Sequence, residues 1–395
     1  MNRDKLIIQG RFEVENHIHY EVDPQEQPIG VGGSGTVRCG LRVDESTGQT
    51  REVAIKFLYD DLNQSAIDRS RREASIHIIH ENLVEMLGFV QVGEPDMYGK
   101  NPIHYHVISE YLDGVMLSDV LNGVSTGHNG VVYPAVERFV QLLGTNRIQF
   151  AVEIVRGVLS GLMALHDNGY IHRDIDPSNI MITKDGKIKL IDLGIAKRLR
   201  NLTNQDGHTM MGQFIGKAYY AAPEQVRGDI SSQDQTTDIY AIGVMLFQLV
   251  TGTLPFLGTT EEILDKQVNG KMPLSKIPDK QLRKIIGKAT EKKQKDRYMS
   301  AAEFRVGLDK YWNGNATLQS TIGSFDSYST SNVQGTVVSS LSSSSTVIIP
   351  GATTTGNGTY VPRSIVNRSN QQNIWIWAAS ALAGLIVGVI LHFVI

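Results

Sequence analysis

The chain has 395 residues, of which 41% are hydrophobic and 20% charged, and its formal net charge is −3. This composition excludes a wholly disordered, collagen-like or coiled-coil protein, and the weak net charge argues against nucleic acid as a partner. The single cysteine, Cys39, excludes an internal disulfide and a multi-cysteine zinc site, which fits a reducing compartment. Residues before 313 carry 36 basic and 40 acidic side chains, and we therefore expect no basic patch for lipids there.

A glycine-rich segment lies near the start of the chain. It follows the pattern G-x-G-x-x-G-x-V, and its residues are Ile29, Gly30, Val31, Gly32, Gly33, Ser34, Gly35, Thr36 and Val37. The next residues alternate in polarity like a strand, whereas a dinucleotide-binding loop is followed by a helix. Two strands joined by glycines form a hairpin whose backbone N–H groups can cover phosphates. The pattern predicts such a hairpin, although glycine clusters also form ordinary turns.

A lysine on the next predicted strand is the candidate phosphate ligand. Residues Val53–Lys56 read V-A-I-K, and a lysine at this place after a glycine-rich hairpin indicates phosphate binding rather than a solvated charge. The spacing of apolar residues predicts a helix over Ser65–Ile79. Glu73 on this helix is the candidate ion-pair partner of Lys56. The alternative for Glu73 is a solvated helix carboxylate, because other glutamates follow closely.

Three motifs later in the chain complete a recognisable series. Residues 172–179 read H-R-D-I-D-P-S-N, residues 192–194 read D-L-G, and residues 222–224 read A-P-E. In this order and with the glycine-rich loop and V-A-I-K, the motifs resemble those of the eukaryotic-type serine/threonine protein kinases, and the bacterial members most. The resemblance covers about residues 10–312. It implies an α+β, bilobal kinase fold with a β-rich N-terminal lobe and a helical C-terminal lobe.

The resemblance also implies roles for individual residues. Asp174 would accept the proton of the substrate hydroxyl, and Asn179 and Asp192 would hold Mg²⁺ at the phosphates of ATP. Backbone groups of Glu110 and Leu112 would bind the adenine edge. The remaining residues expected at ATP are Ala54 and Met181, the latter being equally compatible with a plain core position. Glu224 is expected to pair with Arg297, and Asp238 to hold the catalytic-loop backbone, both in structural roles.

Two positions depart from the family pattern, and their charges are opposite. Asp176 stands where the family usually has a lysine that contacts the γ-phosphate, and Lys217 stands where it usually has a threonine. We hypothesise that Asp176 and Lys217 form an ion pair and that Lys217 supplies positive charge beside Asp174. The alternative is that Asp176 faces solvent and Lys217 is a surface residue. The rival function is a nucleotide-binding pseudokinase scaffold, which Asp176 favours and the intact metal ligands disfavour.

The last part of the chain differs sharply from the rest. Residues 313–373 are rich in serine and threonine, which predicts a flexible linker, with a small β-rich domain as the alternative. Residues 374–395 lack Asp, Glu, Lys and Arg, and 22 residues of helix span about 33 Å, enough to cross a bilayer. A buried core helix is the alternative. Basic residues just before this segment predict that the N-terminal part is cytoplasmic.

Together these features predict a membrane-tethered serine/threonine protein kinase that uses ATP and Mg²⁺ and acts on protein substrates. Thr203 and Thr209 are candidate autophosphorylation sites between the D-L-G and A-P-E motifs, with an ordinary surface loop as the alternative. Gly384 and Gly388 are spaced as in close helix pairs, which suggests a homodimer through the membrane helix. Small residues common to any membrane helix are the alternative reading of that pair.

Overall fold

The computed structural model describes residues 5–93, 102–193, 197–198 and 218–328, with backbone alone at 197–198 and 315–328. Lys217, Thr203 and Thr209 lie outside the described residues. So do the predicted membrane helix at 374–395 and residues 329–373 of the predicted linker.

An antiparallel sheet forms the N-terminal lobe. Its strands run in the order β1-β2-β4-β5-β7-β6, and the short β3 lies beside β4. The strands are β1 (Leu6–Ile8), β2 (Ile18–Val22), β3 (Gly30–Gly32), β4 (Gly35–Asp44), β5 (Thr50–Leu58), β6 (Met86–Val92) and β7 (His104–Glu110). On β5, Val53 and Ile55 are fully buried, whereas Ala54 and Lys56 are half-buried on the opposite face. The alternation places Lys56 away from the lobe's apolar core.

The N-terminal lobe carries a short helix α1 (Arg11–Glu15) and the helix predicted over Ser65–Ile79, which is shorter than predicted. α2 spans Gln64–Ala74. Its N-cap is Asn63, whose side-chain oxygen accepts the Ala66 N–H at 2.9 Å. After the helix ends, Ile76 and Ile78 are buried while the residues between and after them are exposed. That alternation has the period of an extended chain. The predicted helix end at Ile79 is therefore wrong, because the two isoleucines are buried as alternating residues and not along a helix face.

Helices form most of the C-terminal lobe. They are α3 (Leu117–Val120), α4 (Pro134–Thr145), α5 (Arg147–Asp167), α6 (Pro223–Val226), α7 (Gln235–Thr251), α8 (Thr260–Asn269), α9 (Lys280–Ala289) and α10 (Ala301–Tyr328). α5 and α7 pack against each other in the largest core cluster and contribute many of its fully buried side chains. Within the described residues, α5 is the helix whose length and apolar composition suffice to cross a membrane. More than half of its most apolar stretch is buried inside the domain, as in a core helix.

Short strands lie among the helices of the C-terminal lobe, from just before α3 to the segment before α6. β8 (Gly114–Met116), β10 (Ile180–Thr183) and β11 (Ile188–Leu190) form a three-stranded sheet, and β9 (Tyr170–Ile171) pairs with β12 (Lys197–Arg198). The catalytic-loop sequence lies between β9 and β10, and the D-L-G sequence follows β11. The two-lobe α+β fold predicted from the resemblance is therefore present.

The final helix crosses the boundary expected between the domain and its linker. α10 continues to Tyr328, whereas the predicted linker begins at residue 313. Trp312 packs against the main core, and Tyr311 is buried in it. Beyond these residues Leu318, Ile322 and Phe325 keep a roughly helical spacing and no proline interrupts it, so the helix can continue.

Candidate active site

The glycine-rich segment forms the predicted hairpin. Gly30 pairs with Val37 and Gly32 with Gly35, so that Gly33 and Ser34 make the turn between β3 and β4. A Cβ atom on Gly35 would lie 2.1 Å from the carbonyl oxygen of Phe57, so the packing of β4 on β5 requires this glycine. A Cβ on Gly30 would make only ordinary contacts, one on Gly33 would meet nothing within 4 Å, and neither residue has positive φ. Because these two glycines lack side chains, open space remains beside the hairpin for a ligand.

Lys56 and Glu73 face the same region but do not form the predicted ion pair. Among the described residues, no ion pair within 4 Å joins the Lys56 amine to the Glu73 carboxylate. Burial and the charge of Asp192 raise the pKa of Glu73 to about 7, although the charge of Lys56 and the Leu193 backbone oppose the rise. The predicted contact is absent from a site where burial favours the neutral form of the Glu73 carboxyl, which weakens its attraction to the Lys56 ammonium. The solvated alternative for Glu73 is also wrong.

The catalytic loop brings Asp174 and Asn179 into contact. Both side chains are buried, and the Asn179 Nδ2 donates to the Asp174 Oδ2 at 2.9 Å and to the Asp174 carbonyl at 2.8 Å. Asp192 is exposed at the end of β11. Asp192 and Arg173 have φ of 60° and 73°, in the left-handed region that non-glycine residues seldom occupy. Backbone strain of this kind concentrates at functional sites.

Asp238 holds the backbone of the catalytic loop through hydrogen bonds. Its carboxylate oxygens accept the His172 N–H at 2.8 Å and the Arg173 N–H at 2.7 Å, and its Oδ2 lies 2.8 Å from the His166 Nε2. Burial would raise the pKa of Asp238, but the hydrogen bond and charge of His166 outweigh it and hold that pKa below its usual value. Asp238 lies in the first turn of α7, which begins at Gln235 with Asp234 as its N-cap. The predicted structural role of Asp238 is confirmed.

Asp176 is part of the loop's internal hydrogen bonding. The residue is buried, and its Oδ1 accepts the Ser178 N–H at 2.6 Å and the Ser178 hydroxyl. It thereby caps the short 3₁₀ turn Pro177–Asn179, which positions Asn179. The alternative that Asp176 faces solvent is wrong, because one of its oxygens is used by the loop. The hypothesised ion pair with Lys217 stays a prediction, since Lys217 lies outside the described residues.

The expected adenine site lies at the end of β7. The Glu110 side chain accepts hydrogen bonds from the Lys189 ammonium and from the Glu85 N–H, the latter at 2.9 Å. These contacts tie the connection between the lobes to β11. The Leu112 N–H has no hydrogen-bond partner within the described part of the chain. A half-buried backbone donor of this kind is available to a ligand acceptor.

Half-buried side chains from both lobes complete the expected adenine site. Ala54 pairs with Ser109 in the N-terminal lobe, and Met181 lies on β10 between Met116 and Lys189. Their partial burial leaves apolar surface that a ring can contact. The interlobe contact of Lys189 with Glu110 was not predicted, because the two residues are 79 positions apart and follow no local pattern.

A buried ion pair anchors the A-P-E motif. Arg297 donates from both terminal nitrogens to the two oxygens of Glu224, at 2.8 and 2.9 Å, and both residues are buried. The predicted pair is confirmed. Next to it, the Gln225 Nε2 donates to the Arg173 carbonyl at 2.8 Å and its Oε1 accepts the Ala222 N–H at 2.9 Å. This link of Gln225 to the catalytic loop was not predicted, because the two residues it joins are 52 positions apart and follow no local pattern.

Comparison with known families decides the identity of this arrangement. The family model described as "Protein kinase domain" matches residues 24–305, more than half of the chain. The chain belongs to the protein kinase family. The resemblance to eukaryotic-type serine/threonine protein kinases, which rested on motifs alone, is thereby confirmed. Members of the family generally use ATP and Mg²⁺ and act on proteins.

Curated kinases of bacteria are similar to the chain over its kinase domain. "Serine/threonine-protein kinase PknB" of Mycobacterium leprae is 33% identical over 276 residues, which are 67% of the chain and 39% of the relative. "Serine/threonine-protein kinase PrkC" of Bacillus subtilis is 32% identical over 288 residues, 70% of the chain and 39% of the relative. The kinase thus spans less than half of the length of these relatives.

Proposed function

We propose that the chain is a membrane-tethered serine/threonine protein kinase, which transfers the γ-phosphate of ATP to serine and threonine hydroxyls of proteins, including its own. The observation that carries this proposal is the contact of Asp174 with Asn179 in a buried, backbone-anchored loop. A carboxylate held in this way can accept the proton of an attacking hydroxyl. The names of the relatives support the choice of serine and threonine over tyrosine.

The residues around the loop fit ATP. Gly30 and Gly33 leave room beside the hairpin for phosphates, and the Leu112 N–H is free to bind an adenine nitrogen. Lys56 supplies a positive charge on the same side as Glu73 and Asp192. In phosphoryl transfer such groups place the phosphates and offset their charge, since little covalent chemistry is left to the protein. The hairpin, Lys56 and Leu112 are therefore assigned to nucleotide binding.

Two oxygen-bearing side chains fit a magnesium site. Asn179 uses its Nδ2 for Asp174, which leaves its amide oxygen for a cation, and the Asp192 carboxylate is exposed. Mg²⁺ prefers oxygen ligands and is typically held by one or two side chains together with phosphate oxygens. When bound, the ion would offset the negative charge of the phosphates.

The test of transfer compares two aspartates of the full chain. Incubation with labelled ATP, Mg²⁺ and a generic protein substrate should give labelled substrate, and Asp174→Asn should lower the rate by about 10²–10⁴-fold. Asp185→Asn, in an exposed turn of the same lobe, is the matched control and should leave the rate unchanged. Equal rates for both variants would contradict the assignment of Asp174.

A pseudokinase scaffold is the second candidate, and Asp176 is the observation that favours it. The position that usually carries a cation here holds a buried carboxylate that caps the loop. Nucleotide binding by the full chain without any label transfer, in the presence of Mg²⁺, would support the scaffold.

A double-mutant cycle tests whether Lys217 replaces the missing cation. Asp176→Lys and Lys217→Thr should each impair transfer, and the double variant, which restores the usual family pattern, should recover much of it. Additive effects without recovery would contradict the compensation of one position by the other.

The membrane anchor is proposed from residues 374–395, whose length and lack of charge support it. The kinase domain is placed on the cytoplasmic side by the basic residues that precede the anchor. Flotation of the full chain with neutral lipid vesicles at high salt tests the anchor. Gly384→Ile and Gly388→Ile together test the homodimer, because bulky side chains prevent close helix approach.

A further inference from the structure

A strongly basic segment lies between α8 and α10. Residues 271–297 hold ten of the chain's 38 lysines and arginines but only three acidic residues, which gives this stretch a formal charge of +7. The rest of the chain therefore carries −10. A near-neutral total over 312 residues conceals this separation of charge, so that total does not by itself exclude a basic patch.

The parts of the chain that carry the segment's charges border one cavity. This cavity of about 550 Å³ has walls from the turn before α9 at Leu274, from α9 at Arg283 and Lys284, and from the turn after α9 at Asp296. Lys284 lines the cavity itself, and Lys276, Lys293 and Lys295 lie within three positions of residues that line it. On α9 itself Lys280 and Lys284 lie one turn apart on one face.

Six lysines of the segment are exposed, and none forms an ion pair with a described residue. These six residues, named the basic face here, are Lys271, Lys276, Lys280, Lys284, Lys293 and Lys295. The more buried cations have partners: Lys288 pairs with Glu303 at 2.6 Å, and Lys292 donates to the Tyr240 hydroxyl at 2.8 Å. The basic face is therefore the part of the segment's charge that internal contacts do not use.

The acidic residues of the segment offset little of this charge. Asp279 caps α9 by accepting the Leu282 N–H at 2.7 Å. Glu291 and Asp296 are the two exposed acids beside six exposed lysines. A surface with such an excess of one sign attracts an extended surface of the opposite sign.

We propose that the basic face docks the kinase domain on an anionic membrane surface. This inference rests on the proposed membrane anchor, which keeps the face close to a bilayer. The predicted linker leaves 45 residues between the last described residue and the proposed anchor. A flexible chain of that length has a root-mean-square span of about 35–40 Å. A lysine near an anionic bilayer strengthens binding about fivefold, so several lysines acting together suffice to hold a domain already tethered there.

Lysine acylation of the full chain in vesicles tests the docking. Phosphatidylcholine vesicles with and without phosphatidylserine are compared, and the acylation rate of each lysine is read by mass spectrometry. At about 0.1 M salt we expect Lys276, Lys280 and Lys284 to react at least about fivefold more slowly on the anionic vesicles. Salt at about 1 M, where the Debye length falls to about 3 Å, should abolish the difference. Lys187, exposed in a turn after β10, is the internal control and should not change.

Charge variants separate docking from other causes of protection. Lys276→Gln, Lys280→Gln and Lys284→Gln together should shift the docking equilibrium by about 100-fold and expose Lys293 and Lys295 to acylation on anionic vesicles. Replacement of the same three lysines by arginine keeps the charge and should keep the protection.

Each outcome bears separately on the anchor and on the basic face. A chain that floats with both vesicles but shows equal lysine reactivity on them overturns docking and leaves the anchor intact. Flotation with anionic vesicles alone, with the lysines protected, overturns the anchor and supports docking. Flotation with neither overturns both. Protection by heparin or RNA and not by anionic vesicles would assign the face to another polyanion and overturn the proposal.

Discussion

Removal of the Glu224 carboxylate is predicted to destabilise the kinase domain more than any change at its surface. Glu224→Ala deletes both oxygens that accept from Arg297, and a hydrogen bond from the Thr237 hydroxyl at 2.9 Å is lost with them. Arg297 is 1% exposed and keeps only backbone carbonyls as hydrogen-bond partners, with its guanidinium 4.9 Å from the Tyr240 ring centroid. Its charge would remain buried without a counter-ion, which costs about 3–5 kcal/mol.

Urea unfolding of the full chain measures this effect. Trp312 packs on the main core and serves as the fluorescent reporter in a background where Trp375 and Trp377 are replaced by phenylalanine. With a slope of about 3 kcal/mol per M, the midpoint should fall by about 1–1.7 M. The loss should be larger for Glu224→Ala than for the exposed control Glu261→Ala, which should stay within about 0.5 kcal/mol of the parent.

A second substitution separates the buried charge from the lost contacts. Arg297→Met in the Glu224→Ala background removes the unpaired charge and replaces it with an apolar side chain. The double variant should be more stable than Glu224→Ala alone, because buried pairs often contribute little net stability over apolar residues. A cost of less than about 1 kcal/mol for Glu224→Ala, or no recovery in the double variant, would refute the reasoning.

Three further predictions concern the nucleotide site. Lys56→Met should abolish label transfer and leave the thermal midpoint unchanged, because the half-buried amine forms no ion pair with a described residue; a large fall in the midpoint would make the lysine structural. The pKa of Glu73 is raised to about 7 in the fold from an unfolded value of 4.5, so the folded domain loses stability as the pH rises from 4.5 to 7. Glu73→Gln removes this loss, and its free energy of unfolding should exceed that of the parent by up to about 3 kcal/mol at pH 8 and by nothing at pH 4. Denaturant titration at each pH measures the difference. Gly35→Ala should destabilise the domain, since its Cβ would meet the Phe57 carbonyl, whereas Gly33→Ala should keep stability and weaken nucleotide affinity in calorimetry.

The sequence predicted features that depend on motif order and on complementary charge. The hairpin followed from glycines between two alternating segments, and its pairing of Gly32 with Gly35 agrees. The Glu224–Arg297 pair followed from the family resemblance, although 73 positions separate the two residues. In these cases residue types restrict the structure strongly, because few partners can satisfy a buried arginine or cover a phosphate.

Other features depend on packing that one sequence does not express. Ile76 and Ile78 continue the apolar spacing of α2, yet the chain buries them in extended form after Ala74. For Asp176 the sequence suggested an ion pair with Lys217 or a solvated side chain. In the structure its carboxylate accepts a hydrogen bond from Ser178, two residues away, which neither hypothesis included. The basic face was not predicted, because the formal charge of the whole domain does not show how the charges are distributed over its surface.

The strand β1 has a practical consequence for producing the kinase domain. It precedes the family match, which begins at residue 24, yet its Ile8 is buried with Tyr20 and Val22 in the core of the N-terminal lobe. A recombinant fragment that starts at the family boundary would remove β1 and β2 and uncover the N–H and C=O groups of β4. Exposed strand edges recruit strands from other molecules, so such a fragment should aggregate where a fragment starting at residue 5 stays monomeric.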